Sequence, residues 1–537
     1  MRANDMTRAA PATIVQRRIA IAAGLFVMAF ALISVRLVDV SVFRGGAAGV
    51  AGPAVVALRG ARADLLDRNG MVLARDLPVA DVYARMAVLK DRARAAAALA
   101  AATGVSAERL GHEFDGIHNY VLVARQVPVE MQSKVRQLGL AGLEFDPAVK
   151  RDYPDGTAAI QVLGMTDPDG NGVDGLELGL DQTLRGGRDA VELSLDMRVQ
   201  YALAHEIEAS RKEFGARAAG GIVMDVDTGE ILAMASLPDS PEDAALSGVD
   251  PRRNRMAQDV YELGSVFKIF SFALAVEDHT IRLDETIPIG SGFHIGRYII
   301  HDAEHMPASL TARDVLAQSS NAGTAQIALR SGAERQRQFL SQLGLLAPVR
   351  SELPERAAPL YPRHWGDVET ATIGFGHGIS VAPLAFVSAA AAMVNGGRRI
   401  SPTFLKRTRD ARGEQLISPE ASATMRELLR YVVTNGTGRK ADVAGYDVGG
   451  KTGSAEKVSG RGYVAHKLLT SFCAVFPIQN PRYLVFVMLD EPHGTKQTPA
   501  LAGFTAAPLA GRVIARIAPM LGMPTEAPVL VQAKENS

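Results

Sequence analysis

Ser265 and Lys268 stand three positions apart, and Lys268 is the one charge in the apolar stretch Val266–Val276. On a helix, residues so spaced are neighbours, with Cβ atoms about 5–6 Å apart, so hydroxyl and amine can meet without another segment. An ordinary lysine, with a pKa near 10.4, is protonated at neutral pH and cannot accept a proton. Burial among Phe267, Ile269 and Phe270 disfavours the ammonium, and full burial lowers a lysine pKa by about 3 to 5. Such an amine can act as the base that activates the neighbouring serine. Phe267, Phe270 and Leu274 follow at helical spacing, which puts Ser265 at or near a helix N-terminus, where backbone N–H groups can meet an oxyanion. For an isolated S-x-x-K the plainer reading is a capping serine beside a lysine that snorkels or pairs with an acid.

The S-x-x-K pattern occurs twice. Its second copy, Ser454 to Lys457, has no apolar helix to desolvate Lys457, so Ser265 is the candidate nucleophile. Two further short motifs lie along the chain, S-S-N at Ser319–Asn321 and K-T-G at Lys451–Gly453. Other patterns carry less. His301–His305, HDAEH, matches an H-x-x-E-H zinc pattern, but Pro307 follows closely, no amphipathic helix surrounds it and no third ligand is in view, so no metal is expected. Asp167–Gly175 lacks the closing glutamate of a calcium loop and reads as a tight turn. Gly374–Gly378, GFGHG, has no following Lys-Ser/Thr and reads as a glycine turn before a helix at Pro383. Asp490 and Glu491 at a strand end read as solvated charges rather than a glycosidase pair.

Elements must position these groups. A chain of 537 residues exceeds one ordinary core, which implies two or three domains. The 58 basic and 58 acidic residues cancel, leaving no electrostatic footprint for nucleic acid. The single Cys473 excludes an internal disulfide framework and a four-cysteine metal site. Ile19–Val35 is uncharged and follows Arg2, Arg8, Arg17 and Arg18, with only Asp5 opposing them. At about 1.5 Å per residue the run is about 25 Å long, short of a hydrocarbon core of about 30 Å; Leu37, Val38, Val40 and Val42 extend it if Arg36 snorkels. The positive-inside rule then places residues 1–18 in the cytoplasm, 19–42 in the membrane and the rest outside. The run is longer than a signal-peptide core, so an uncleaved anchor is expected, with a cleaved signal peptide as the alternative because Gly45–Gly52 offers small residues to a peptidase.

Residues 54–200 mix short strands and modest helices: an Asn69-Gly70 turn before a strand, an alanine-rich helix closed by Gly104, a strand near Tyr120 and a helix ending at Gly139. Gly220–Ser236 reads as a hairpin about Asp227-Thr228-Gly229, helices follow to about Val394, and strands return at the K-T-G segment, Thr470–Pro477 and Arg482–Pro492, before a helix from about Ala507 to Met520. Strands at both ends of residues 201–522, with helices between, imply an α+β domain whose antiparallel sheet joins the first hairpin to the last strands. Residues 523–537 read as a disordered tail.

The ordered set S-x-x-K, S-x-N, K-T-G resembles the signature of penicillin-recognising serine enzymes. With RGARADLLDRNGMVLA, DGNGVDGLELGLDQTLRG, VMDVDTGEILAMAS, RNRMAQDVYELGSVFK and NPRYLVFVMLDEP, the resemblance covers nearly the whole chain and points to the class B penicillin-binding proteins of the cell-division type. Departures are mild: Leu263 for a common proline, Ser454 for a common threonine after K-T-G, and Ala382 for a frequent threonine. The resemblance implies a helix-flanked antiparallel sheet carrying D,D-transpeptidase activity, an elongated non-catalytic N-terminal α+β pedestal, and one N-terminal transmembrane helix. It implies Ser265 as acylated nucleophile, Lys268 as its base and Ser319 as relay to the leaving amine. Asn321 would hold a substrate amide, and Lys451, Thr452 and Gly453 would flank the terminal carboxylate. The backbone N–H groups of Ser265 and Ser454 would form the oxyanion hole. No cofactor is implied. Expected partners are peptidoglycan stem peptides, β-lactams, a membrane glycosyltransferase and other division proteins, at the septal inner membrane with the catalytic domain in the periplasm. An elongation transpeptidase, an idle β-lactam-binding sensor or scaffold and, less favoured, a β-lactamase-type hydrolase are the alternatives.

Overall fold

The computed structural model describes residues 62–525 except 156–157, 188, 408–410, 412, 460–461 and 496–497, together with six positions between 24 and 34. The chain divides into two compact units, Met1–Leu58 and Arg59–Ser537. In the first, Gly24, Val27, Met28, Phe30, Ala31 and Ser34 are helical. The remainder of the anchor expected at 19–42 lies outside the described residues, as does the expected tail beyond Thr525. Among the described residues no helix is long and apolar enough to cross a membrane.

The second unit begins with a strand-rich region. Both N–H groups of Asn69 and Met71 donate to Asp67 Oδ1 at 2.8 Å, so one carboxylate folds the Asn-Gly turn that launches the strand Val72–Arg85. That strand pairs antiparallel with Tyr120–Val127 and with Leu143–Asp152. The helices Arg92–Thr103, Ala107–Asp115 and Val129–Gln137 cover it, burying Leu99, Leu110, Phe114 and Val135 against Val82 and Val123. The Asp167 segment is a turn in which Asp167 Oδ1 accepts the N–H groups of Asp169 and Asn171 at 2.9 and 2.8 Å. A buried ion network closes this region: Glu177, fully buried, accepts from Arg62 Nε at 3.0 Å and Arg151 Nε at 2.7 Å, while Arg151 also reaches Asp76 at 3.2 Å.

The larger sheet has five strands, β1 (Ala218–Asp225), β2 (Ile231–Leu237), β3 (Gly449–Ser459), β4 (Gly462–Phe476) and β5 (Tyr483–Asp490), in the antiparallel order β3-β4-β5-β1-β2. The first hairpin therefore pairs with the last strand, with Val487 opposite Gly221. Successive residues point to opposite faces of a strand. Ile222, Met224, Leu484, Phe486 and Met488 pack on one side with the helix Lys268–Glu277, and Val223, Val485, Val487 and Leu489 pack on the other with the helices Met197–Glu213 and Ala506–Met520. Both faces being covered, the central strands β1 and β5 are buried along their whole length and apolar up to their closing Asp225 and Asp490, and K-T-G lies on the edge strand β3, facing the helical layer that carries Lys268.

Candidate active site

Ser265 lies in a short 3-10 turn, Gly264–Phe267, that runs directly into the helix Lys268–Glu277. In a 3-10 turn residues three apart eclipse one another, which keeps positions 265 and 268 on one side. Gly264 has φ +59°, and a Cβ there would sit 2.8 Å from the carbonyl oxygen of Ser454; a Cβ on Gly376, in the GFGHG turn, would sit 2.1 Å from the Gly264 oxygen. The serine turn is thus held between the K-T-G strand and the glycine turn by backbone approaches that admit no side chain.

Lys268 is fully buried, and its amine donates to the Ser319 carbonyl, to Ser319 Oγ at 3.1 Å and to Asn321 Oδ1 at 2.9 Å. As the ammonium, Lys268 directs its three N–H groups at the S-x-N turn rather than at the Ser265 hydroxyl; as the free amine it keeps two and gains a lone pair that can accept a proton. Burial, with the neighbouring charge of Lys451, holds the Lys268 pKa well below the ordinary lysine range, and Asp302 opposes the shift. Lys451 is fully buried too; it donates to Ser319 Oγ at 3.0 Å, Thr452 O at 3.2 Å and Thr452 Oγ1 at 3.1 Å, and burial pushes its pKa down to about 7. Two weakly basic amines therefore meet at one hydroxyl. That hydroxyl has one proton and two lone pairs, so it accepts from a charged amine and donates to a neutral one, a path along which a proton can move. Ser319 takes up this position with φ +64°, a left-handed backbone that costs a non-glycine residue about 1–3 kcal/mol.

The other predicted residues line the same cleft. Ser265, Ser319, Asn321, Thr452 and Ser454 border a space of about 330 Å³ together with Glu304, His377, Thr437, Arg439, Lys440 and Phe504. A Cβ on Gly453 would meet Leu263 O at 2.6 Å, so Gly453 lets the strand and the serine turn close on each other. Ser454 Oγ accepts the Ala502 N–H at 3.1 Å. Thr437, which sequence reasoning passed over, shares a 2.7 Å hydrogen bond between its Oγ1 and that of Thr452. His377 was also missed as a side chain; burial and the Lys268 amine push it down to about 4, so it is neutral at physiological pH. Asp302 was weighed only as part of the zinc pattern, yet it accepts the Ser320 hydroxyl at 2.8 Å beside Asn321. No group of three His, Cys, Asp or Glu among the described residues is placed to hold a metal ion.

S-x-x-K, S-x-N and K-T-G converging on one cleft beside a helix-covered antiparallel sheet define a penicillin-recognising serine enzyme. The comparisons agree. Residues 219–514 match the penicillin binding protein transpeptidase domain and residues 57–211 the penicillin-binding protein dimerisation domain. The chain is 38% identical over 511 residues to a probable peptidoglycan D,D-transpeptidase FtsI of Caulobacter vibrioides, an alignment covering 91% of this chain and 87% of that one. It is 32% identical over 472 residues to a probable peptidoglycan D,D-transpeptidase PenA of Neisseria meningitidis, covering 81% of each. Among solved structures, penicillin binding protein 3 of Mycobacterium tuberculosis, complexed with aztreonam, superposes with a TM-score of 0.68 at 25% identity, over 88% of this chain and 99% of that one. The chain belongs to the penicillin-binding protein transpeptidase family, with the family's dimerisation domain preceding its transpeptidase domain.

Proposed function

We propose that this chain is a serine D,D-transpeptidase that cross-links peptidoglycan stem peptides during septal wall synthesis and is acylated and inhibited by β-lactams. The observation that carries the reading is the pair of buried amines, Lys268 and Lys451, meeting at Ser319 Oγ beside Ser265. Ser265 Oγ attacks the carbonyl of the penultimate D-Ala, its proton passing to neutral Lys268, for which the hydroxyl turns toward the amine when substrate is bound. The bond to the terminal D-Ala breaks, and that amine takes its proton through Ser319. The backbone N–H groups of Ser265 and Ser454 receive the oxyanion. Lys451 and Thr452, the latter fixed by Thr437, take the terminal carboxylate, with Gly453 admitting the close approach of the strand; Asn321 holds a substrate amide. An amine on a neighbouring stem then attacks the ester, its proton passing through Ser319 and Lys268 to Ser265 Oγ as the ester bond breaks, which forms the cross-link and releases Ser265.

The septal assignment follows the name of the Caulobacter relative, FtsI. Residues 19–42 would anchor the chain in the inner membrane, N-terminus in the cytoplasm and catalytic domain in the periplasm. Residues 54–200 would dock a membrane glycosyltransferase and other division proteins.

Intact-mass measurement of the full chain after benzylpenicillin, beside its Ser265→Ala variant, tests the chemistry. An adduct on the first and none on the second is expected. An unreacted folded chain, or an adduct that persists in the variant, refutes it.

A further inference from the structure

The hairpin Phe293–Ile295/Tyr298–Ile300 packs Ile295 and Ile300 against Ala325 and Phe375 and delivers the loop that begins HDAEH. Asp302, half-buried in that loop, uses both carboxylate oxygens on the S-x-N turn. Its Oδ2 accepts the Ser320 hydroxyl at 2.8 Å, and its Oδ1 accepts the Ala322 N–H at 3.1 Å and the Asn321 N–H. Ser320 Oγ in turn accepts the Gly323 N–H at 3.0 Å. Two side chains thereby satisfy the first three orphan N–H groups of the helix Asn321–Ser331. The carbonyl of His301 lies 3.5 Å from Asn321 Nδ2, which leaves Asn321 Oδ1 for Lys268. The same two loop residues therefore fix the main chain and the amide of Asn321.

We propose that Asp302 is a positioning residue of the transpeptidase site, whose carboxylate locks the S-x-N turn so that Ser319 and Asn321 present their three acceptors to Lys268. The inference rests on Ser265 and Lys268 being nucleophile and base. A helix end this fully capped also tolerates the left-handed Ser319 beside it, because the turn is over-determined from the loop side. Asp302 has a second effect through its charge. The charged groups acting on Lys268 are Lys451 from β3 and Asp302 from the loop, while His377 in the glycine turn is itself acted on by Lys268. The Lys451 charge disfavours the Lys268 ammonium and the Asp302 carboxylate favours it, so loss of that carboxylate lets Lys268 deprotonate at lower pH.

The test is the second-order rate of Ser265 acylation by benzylpenicillin, followed from acid to alkaline pH in the full chain and in its Asp302→Asn and Asp302→Glu variants, with melting temperatures alongside. Misplacing Lys268's acceptors by about an ångström predicts a plateau about ten- to a hundredfold lower in Asp302→Asn. The acidic limb of that variant's profile should also move to lower pH. Asp302→Glu, which keeps the charge, should lower the plateau while leaving the limb in place. A lowered plateau with an unmoved limb in Asp302→Asn reduces Asp302 to a helix cap and overturns the proposal, as does an unchanged profile. If Asp302→Asn fails to fold, the decision falls to Asp302→Glu, where a wild-type plateau overturns it. Failure of the unsubstituted chain to be acylated refutes the reading of Ser265 instead.

Discussion

Lys451→Met separates the stability of this site from its chemistry. Lys451 is fully buried with a pKa of about 7, against 10.5 for the unperturbed side chain. Between those values the unfolded chain binds the proton that the folded chain gives up, so stability rises with pH across the window. The penalty is fully present below about pH 7 and is gone above 10.5. A difference of about 3.5 at about 1.4 kcal/mol each makes it of the order of 5 kcal/mol at its largest. Methionine fills similar volume without a charge to desolvate, and replacing a buried ion by an apolar side chain is often neutral to stabilising by about 1–4 kcal/mol. The hydrogen bonds to Ser319 Oγ, Thr452 O and Thr452 Oγ1 are lost, which consumes part of that gain. The variant is therefore expected to match or exceed the wild type in urea at mildly acidic pH and to lose its advantage toward alkaline pH, while acylation by a carboxylate-bearing β-lactam falls by about a hundredfold or more. Urea midpoints compared across pH, beside acylation rates, provide the assay. A variant destabilised at every pH, with no change in the pH slope, would show that Lys451 is a paired structural cation and would refute the reasoning.

Three further outcomes are expected. Lys268→Arg keeps a charge that cannot be shed, so acylation followed by mass spectrometry should fall about 10²–10⁴-fold; near-normal acylation would remove Lys268 as the base. Gly264→Ala places a Cβ 2.8 Å from Ser454 O at φ +59°, so the acylation rate should drop at least about tenfold, and an unchanged rate would mean that the serine turn is not held against the strand. Glu177→Ala removes the carboxylate that Arg62 and Arg151 share, leaving them Asp181 and Asp76, and should cost about 2–4 kcal/mol in urea unfolding, below the about 3–5 kcal/mol of a fully unpaired buried charge, while the folded fraction still acylates at the normal rate; loss of the acylation rate itself would tie the network to the site.

Much of this site is written in local sequence. The spacing of Ser265 and Lys268, the apolar helix behind them and the Asn-Gly, Gly104 and Asp227-Thr228-Gly229 punctuation are short-range signals, set by helical periodicity and turn sterics over a few residues. The pairing of the first hairpin with the last strand was legible as well, because strands bracketing a helical region have one another to bury against. Contacts between distant segments are different in kind. That the Lys268 amine is directed at Ser319 and Asn321 rather than at Ser265, and that Lys451 reaches the same Ser319 hydroxyl, depends on three segments brought together across more than 180 residues. Thr437, His377 and Asp302 acquire their roles only there, since a threonine in a glycine turn or an aspartate in a loop has no local pattern to mark it. Periodicity and motif fix which side chains face inward and which chemistry they carry; only packing removes the water that makes two lysines weak bases and sets them at hydrogen-bonding distance from one hydroxyl.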